Sequence, residues 1–409
     1  MTNPTSESPE AVPKRALTKV VVATVAVQVA IVMSSLTVPV LASLIFASAG
    51  IPSYLVGYYS SAIYGCAAAT SLATPGLLRR WGGIRLHQGM LVMTAVALAA
   101  LLPAMPAAFA LSAVILGLAY GPMNPASTVL LAQYTPPRLR SRVFSLKQTA
   151  VPAGGALAGS VTPIAAAALG WRSTMLVIAL LCLGLVILIQ PWRGELDRSR
   201  IAGTRLIDAG FWLPAQLMVR RPGLRVVAVA SFAFGAVQFS FSAVFPTVLV
   251  NAGWSLRAAG VVLAVALAVG VACRIIWGAV ADRVGSRPVL GIMGVTMSLA
   301  AFIGSFVTPA WSSAAVLALA SLFGISAYCW AGIGLAETVR QAPAALISEA
   351  SAGVIGLTFL GALAGPALFS TATALTGSFR PAFLLLAAIS VVPGLLLLVP
   401  EPRFTRLRE

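Results

Sequence analysis

The chain alternates long apolar runs with short breaks that are rich in charged residues, proline or glycine. A helix needs about 20 mostly apolar residues to cross a hydrocarbon core of about 30 Å, and the runs have this length. The run that starts at Val20 exceeds the apolar core of a signal peptide, about 7–15 residues, so we interpret it as a first span. The pattern predicts twelve spans, at residues 18–47, 54–78, 86–103, 108–133, 143–168, 172–191, 226–250, 256–280, 289–307, 312–336, 350–375 and 380–399.

The composition supports a membrane protein. Hydrophobic residues make up 59% of the chain and charged residues only 9%, against roughly 25% in soluble domains. The net charge of +17 comes from clusters in the breaks and not from one basic stripe, which argues against nucleic-acid binding. The four cysteines all fall in apolar runs without metal-like spacing, and we interpret them as small buried side chains.

Lys and Arg residues are divided unequally between the two sides of the predicted membrane protein. If the N-terminus is cytoplasmic, the outer loops hold only Arg172, Arg257 and Arg380. Two more of the 27, Lys147 and Arg274, lie inside spans, and all others fall on the cytoplasmic side. The positive-inside rule therefore predicts a multi-pass protein of the bacterial cytoplasmic (inner) membrane with both termini in the cytoplasm.

The longest polar stretch divides the predicted spans into six plus six. We expect an N-terminal six-helix bundle at 1–191, a cytoplasmic linker at 192–225 and a C-terminal six-helix bundle at 226–409. Glycines at small-xxx-small spacing occur in span five and again in span eleven, its counterpart, which favours an internal repeat. Within the linker, residues 211–219 could form an amphipathic helix on the membrane surface, and a plain tether is the alternative.

The loop after span eight carries a recognisable motif. Gly278-x-x-x-Asp282-Arg283-x-Gly285-x-Arg287 resembles the conserved loop between the second and third helices of each half in transporters of the major facilitator superfamily. The first-half copy is altered: Pro75 replaces the first glycine and Arg79 stands where the family has Asp, while Gly82 and Arg85 fit.

The resemblance extends over nearly the whole chain, including a Gly/Pro-rich fifth-helix motif, in altered order, at Pro152-Ala153-Gly154-Gly155. It implies an all-α membrane protein with twelve transmembrane helices in two pseudo-symmetric six-helix bundles. An Asp at such a loop, near an Arg and a helix terminus, can latch the cytoplasmic face. We therefore predict a gating role, with a plain topology signal as the alternative, for Asp282, Arg283, Arg287, Gly278, Arg79 and Arg85.

Ionisable residues inside spans are costly and therefore often functional. Two cations qualify, whereas no Asp or Glu lies well inside a predicted span, and His87 is assigned to a cytoplasmic loop. Arg274 lies eight residues before Asp282, about 12 Å deeper, and its planar fork suits a carboxylate. Lys147 lies five residues past Arg142. The alternatives are carbonyl or gating contacts for Arg274 and snorkelling to the interface for Lys147.

Polar residues in other spans predict the rest of a cavity wall. Asn124 stands between Pro122 and Pro125, where freed carbonyls could face a cavity. Each polar residue alone is more often a helix-packing contact than a ligand. The complete predicted substrate site is Arg274, Lys147, Asn124, Gln238, Gln28, Tyr58, Tyr120 and Tyr328.

Two buried cations without a buried acid predict an anionic substrate. The stretch 121–159 resembles bacterial cyanate-permease-like members of the superfamily, which implies a secondary transporter for a small organic or inorganic anion. Moving a monoanion into a cell costs about 2.3 kcal/mol per 100 mV, so we expect anion exchange or proton symport. The alternative function is efflux of amphipathic drugs, although a pump for lipophilic cations would need a buried acid.

Other classes of function lack sequence support. The chain shows no nucleophile–base pair, metal spacing or phosphate-binding loop, so we expect neither an enzyme nor a cofactor or metal site. A receptor that binds without transporting is a further alternative. The expected partners are a small anionic substrate, with protons or a counter-anion, and the lipid bilayer; we expect no nucleic acid and a functional monomer.

Overall fold

The computed structural model describes residues 14–136, 139–197, 213–343 and 346–399. The regular elements in these ranges are helices. The first half comprises α1 (Lys14–Val40), α2 (Ala42–Ala47), α3 (Val56–Trp81), α4 (Gly83–Ala100), α5 (Pro106–Tyr120), α6 (Met123–Tyr134), α7 (Arg140–Gln148), α8 (Ala150–Leu169), α9 (Trp171–Ile189) and α10 (Arg193–Leu196). The second half comprises α11 (Leu213–Arg220), α12 (Pro222–Asn251), α13 (Leu256–Val284), α14 (Ser286–Gly304), α15 (Ser313–Ala327), α16 (Trp330–Gln341), α17 (Ile347–Thr376) and α18 (Phe379–Leu398).

Among the described residues, eleven helical stretches are long and apolar enough to cross a membrane. The helix α3 also has the necessary length, 26 residues, but its Tyr, Ser, Thr and Gly residues make it less apolar. Large apolar side chains such as Leu180, Ile187 and Leu375 are exposed on the outside of the bundle, where lipid replaces water as the solvent. The prediction of a twelve-helix membrane protein is confirmed.

Successive spans run in alternating directions, so the bundle has two faces. We call the end at which α1 begins the basic face, because it carries Arg15, Lys19, Arg79, Arg80, Arg85, Arg193, Arg220, Arg221, Arg225, Arg283, Arg287 and Arg340. The other end, with Arg172, Arg257 and Arg380, is the opposite face. The unequal division of cations that the sequence predicts is therefore a property of the folded chain.

Four of the predicted spans are interrupted within the described residues, and the first of them, span one, breaks at Leu41 between α1 and α2. Span four breaks at Gly121–Pro122 between α5 and α6, and span ten breaks at Tyr328–Cys329 between α15 and α16. Span five is interrupted at Thr149, between α7 and α8. Spans four and ten occupy equivalent places in the two halves, and both break near the middle of the bundle. Interrupted helices are tolerated at membrane depth where the freed backbone is buried in protein or faces a cavity.

The loops confirm that the two halves repeat one another. Glycines with positive φ stand at three pairs of equivalent connections, Gly50 with Gly253, Gly82 with Gly285, and Gly170 with Gly377. Gly82 and Gly285 belong to the two copies of the loop motif, and both have φ near +90° (86° and 95°). Because this conformation strains other residues, the motif keeps its glycine even in the altered first-half copy.

The halves close against each other between the middle of the bundle and the opposite face. There α8 packs on α13, and α3 packs on α17. A Cβ at Gly57 would overlap Ser370 and Pro366, and a Cβ at Gly155 would lie 2.5 Å from Leu267 Cδ1. Small residues therefore let helices of different halves approach closely at this level.

Hydrogen bonds reinforce this closure. The Ser370 hydroxyl donates to the Tyr54 carbonyl at 2.6 Å, and the Tyr58 and Thr371 hydroxyls are 2.7 Å apart.

Nearer to the basic face, the central helices of both halves expose matching surfaces. In α6 the exposed residues include Asn124, Thr128 and Val129, and in α16 they include Leu335 and Val339. Both helices pack mainly on helices of their own half, and the halves meet at the opposite face, so we infer that these surfaces line a cavity that opens at the basic face.

The segment between the halves is anchored at both of its described ends. Lys19 Nζ forms a 2.6 Å ion pair with Glu195, which fixes α10 to the first half. The helix α11 corresponds to the amphipathic helix predicted at 211–219, of which residues 211 and 212 lie outside the described residues. It buries Leu217 and Met218 against the second half while Val219 stays 67% exposed.

Candidate functional site

Lys147 lies in α7 with only 2% of its surface exposed, and its ammonium group contacts α6. Nζ donates to Asn124 Oδ1 at 2.7 Å, to the Asn124 carbonyl at 3.3 Å and to Thr128 Oγ1 at 3.3 Å. All three acceptors are neutral. The side chain points into the bundle, so the snorkelling alternative does not describe this structure.

Asn124 connects Lys147 to the first helix of the chain. Its Oδ1 also accepts a 3.2 Å hydrogen bond from Gln28 Nε2 of α1. Gln28 is fully buried, whereas Asn124 is exposed at the cavity. Three predicted site residues, Gln28, Asn124 and Lys147, therefore form one network across α1, α6 and α7.

Arg274 lies in α13 and contacts both halves. Its Nε donates at 3.0 Å to the Tyr328 carbonyl, which stands at the break of span ten. Its Nη1 donates at 3.4 Å to the carbonyl of Gln148, the residue directly after Lys147. The carbonyl contacts considered as the alternative for Arg274 are present, and both acceptors are uncharged.

Neither cation has an acidic partner in the described part of the chain. Among the residues that the structure describes, no Asp or Glu forms an ion pair with Lys147 or Arg274. Two positive charges thus stand at the boundary of the halves with only neutral oxygens around them. Lys147 is buried and Arg274 is half-buried. Burying charge without a counter-charge is unfavourable, and an anion would relieve that cost.

The second half contains a counterpart of the Gln28–Asn124 pair. Gln238 lies in α12, the first span of the second half, as Gln28 lies in α1. Trp330 follows the break of span ten, as Asn124 follows the break of span four. Trp330 Nε1 donates to Gln238 Oε1 at 3.0 Å. Each half therefore joins its first span to its interrupted span through a glutamine.

The predicted tyrosines occupy different levels. Tyr120 packs edge-on against Tyr64 at 5.6 Å between ring centroids, and Tyr64 contacts Phe239 of the other half at 4.3 Å. These ring contacts pack the two halves against each other. The Tyr328 hydroxyl is bound to Ser242 at 2.5 Å. Tyr58 lies further away, in the closure at the opposite face, and the structure does not bring it to the cations.

The predicted gating residues of the second half lie at the end of α13 and the start of α14. Asp282 and Arg283 are exposed, and Asp282 has no partner within the described part of the chain. Arg287 donates to the carbonyls of Leu396 and Val399, and Gly278 has open space around it. The predicted latch is not formed by Asp282 while the cavity is open at this face.

The first half has a different acid at its loop. Asp197, which follows α10, accepts from the backbone N–H of Ile84 at 2.7 Å and of Arg85 at 3.0 Å. It caps α4, and a Cβ at Gly82 would lie 2.5 Å from its carboxyl carbon. The motif's Asp is replaced by the exposed Arg79, and Asp197 places a carboxylate at this loop from a distant part of the sequence. Sequence reasoning missed Asp197 because it lies 113 residues from Ile84, whose N–H it accepts.

Two predictions about ionisable residues are wrong. His87 does not lie in a loop, because α4 already begins at Gly83. The side chain of His87 is fully buried, with Nδ1 2.6 Å from the Gly83 carbonyl and Nε2 3.1 Å from Ser127 Oγ. A buried acid exists too, since α16 extends beyond the predicted end of span ten and includes Glu337. Glu337 pairs with Arg340 at 2.6 Å and with Gln341 at 3.0 Å, so its carboxylate contacts these residues and not Lys147 or Arg274.

Two six-helix halves that close at one face over a central cavity define a membrane transport protein of the alternating-access type. The sequence matches the Major Facilitator Superfamily over residues 23–366, and the chain belongs to this family. It is 24% identical to the hexuronate transporter of Bacillus subtilis (strain 168) over 300 residues, covering 69% of this chain and 70% of that protein.

Solved structures of other transporters share the fold. The nucleoside transporter NupG has a TM-score of 0.75 at 15% identity and covers 93% of this chain and 98% of its own. A bacterial homologue of the human lysosomal transporter Spinster, in an inward-facing and occupied conformation, has a TM-score of 0.76 at 12% identity, covering 94% and 97%. At these identities the likeness shows the fold alone.

Proposed function

We propose that this transporter moves a small organic anion, a carboxylate, across the cytoplasmic membrane. The observation that carries the proposal is the position of Lys147 and Arg274 at the boundary of the two halves, both without an acidic partner in the described residues. Hydrogen bonds between ionised groups are roughly twice as strong as neutral ones. A carboxylate therefore offers each cation a better acceptor than the neutral oxygens that now surround it.

The two cations belong to different halves, which gives the anion a mechanical role. Lys147 is fixed to α6 of the first half, and Arg274 is fixed to the break of span ten in the second half. A carboxylate bound by both would draw the halves together on the side of the basic face. Binding of substrate would thereby favour closure of the open cavity, and rocking of 1–191 against 226–409, joined by the linker 192–225, would release it on the other side.

The orientation of the protein in the membrane is part of the same proposal. The positive-inside rule places the basic face in the cytoplasm, so the present cavity faces the cytoplasm. Asp282 would then complete its predicted latch only after this face closes. Transport by exchange with a second anion, or by symport with a proton, would compensate the cost of moving negative charge into the cell.

The Bacillus relative supports this choice of substrate, because a hexuronate is a sugar carboxylate. Drug efflux is less well supported, since Glu337, the buried acid of span ten, is already occupied by Arg340. A lipophilic cation would meet two positive charges in the cavity.

Binding can be tested on purified protein in detergent by its thermal stability. A ligand at a hundredfold excess over Kd stabilises the folded state by about 2.7 kcal/mol. We expect carboxylates to stabilise wild type and not Arg274→Ala. The matched control is Arg257→Ala, the same substitution at an exposed position of the same helix, which should respond like wild type. If only lipophilic cations or drug-like compounds stabilise, equally in all three proteins, the efflux function replaces this one.

A further inference from the structure

The network around Lys147 fixes which atom of Gln28 bonds to Asn124. A lysine ammonium can only donate, so the Asn124 atom 2.7 Å from Nζ must be its oxygen. That oxygen in turn needs a donor from Gln28, which is therefore its Nε2. The orientation of both amides thus follows from the charge of Lys147.

With that orientation, Gln28 Oε1 is left without a donor. The atom is buried and makes no hydrogen bond, and the whole residue is fully buried. The amide nitrogen of Gln28 bonds to Asn124, which is exposed at the cavity. A buried carbonyl oxygen without a partner costs about as much as a lost hydrogen bond. The free acceptor lies in the same network as a cation that has no counter-charge.

The first span of the second half also carries a glutamine, and its oxygen has a donor from the protein. Gln238 Oε1 accepts the indole N–H of Trp330 at 3.0 Å. In the first half the corresponding residue is Asn124, whose oxygen is already used by Lys147 and Gln28. The two halves therefore differ in one respect: only the first leaves its glutamine oxygen without a donor.

We propose that Gln28 Oε1 accepts a hydroxyl of the substrate whose carboxylate binds Lys147, so that the transported anion is a hydroxylated carboxylate such as a sugar acid or a hydroxy acid. This inference rests on the proposed anion transport and adds a specificity residue to it. A site built to bond a hydroxyl discriminates strongly against the analogue that lacks it, because the buried acceptor then stays unpaired.

The first arm of the test uses the wild-type protein with ligands that differ in their hydroxyl groups or in their carboxylate. Its thermal stability is measured against concentrations of gluconate, hexanoate and glucose, which separate the contributions of hydroxyls and carboxylate. We expect gluconate to bind at least about tenfold more tightly than hexanoate, equivalent to about 1.4 kcal/mol, and glucose to be weaker than gluconate.

The second arm uses Gln28→Met, which keeps the length of the side chain and removes the acceptor. Its preference for gluconate over hexanoate should fall to about threefold or less. The control is Thr24→Val, one turn away in α1, where the buried hydroxyl bonds only to carbonyls of its own helix, so it should keep the wild-type preference.

The outcomes separate this inference from the function on which it rests. If wild type binds gluconate and hexanoate equally and both depend on Arg274, the hydroxyl site is refuted and anion transport stands. Should Gln28→Met keep the preference for gluconate, Gln28 is not the acceptor. If no carboxylate stabilises wild type, the proposed function fails as well. The wild-type arm decides the matter even where Gln28→Met does not fold.

Discussion

Gly159 of α8 and Gly260 of α13 lie face to face across the two halves, each with its Cα against the carbonyl of the other. A Cβ on either residue would collide with the backbone opposite, and one on Gly260 would also lie 2.9 Å from Pro163. Because the two helices belong to different halves, separation of the halves at the opposite face would break this contact. It therefore connects the size of two side chains to the balance between the states of the transporter.

Gly260→Val should oppose closure of the opposite face. Overpacking costs about 1–3 kcal/mol, which corresponds to a shift of about 5- to 150-fold in a two-state balance. Spin labels at Arg172→Cys and Arg257→Cys, in a background without the native cysteines, would report the separation of the halves at this face. We expect longer distances in Gly260→Val and slower transport. Gly184→Val is the control, because a Cβ at Gly184 meets nothing within 4 Å; equal distances in both variants would contradict the closure described here.

Lys147→Met should weaken carboxylate binding without lowering the stability of the folded protein. Met is of similar length, and after the substitution Asn124 Oδ1 still accepts from Gln28, while Thr128 still donates to the Asn124 carbonyl at 2.8 Å. Replacing a buried charge by an apolar group is often neutral or stabilising. We expect the unliganded melting temperature to be unchanged or higher, and carboxylate affinity to fall at least about tenfold.

The opposite pattern for Lys147→Met, a clear loss of stability with carboxylate binding retained, would make Lys147 a structural residue. Lys147→Arg tests the role of the charge alone, and we expect it to retain part of the affinity.

Asp197→Ala should weaken the anchoring of the linker on the first half. The variant leaves the N–H groups of Ile84 and Arg85 without their acceptor at the start of α4. Loss of a helix cap costs about 0.5–2 kcal/mol, measurable as a lower melting temperature. Asp282→Ala at the equivalent loop of the second half is the comparison, because Asp282 has no partner in the described residues and its removal should leave the melting temperature of the open state unchanged.

The positions of the spans could be predicted from sequence because lipid imposes a strict length and polarity on each helix. Boundaries were less predictable, and the end of span ten matters most: its prediction stopped just before Glu337, which hid a buried acid. The break of span four is visible in Gly121 and Pro122. No proline marks the break of span ten at Tyr328, and its carbonyl became recognisable only as the acceptor of Arg274.

The candidate site, too, could be predicted from the sequence only in part. Lys147 and Arg274 could be singled out because charges in spans are rare. Which oxygens they contact depends on the packing of α6 against α7 and of α13 against α15 and α16, which no spacing along the chain reveals. Tyr58 illustrates the difference: it belongs to an appropriate span, but it lies in the closure near the opposite face, where its hydroxyl contacts that of Thr371.

The central claim is that Lys147 and Arg274 bind and move an anion, and the most direct measurement is transport by the purified protein in proteoliposomes. A concentration jump of a carboxylate such as gluconate should drive uptake in wild type and Arg257→Ala. Uptake should be lost, by at least about tenfold, in Arg274→Ala and Lys147→Met. Uptake of carboxylate that is undiminished in both cation variants, or transport confined to lipophilic cations, would contradict the account.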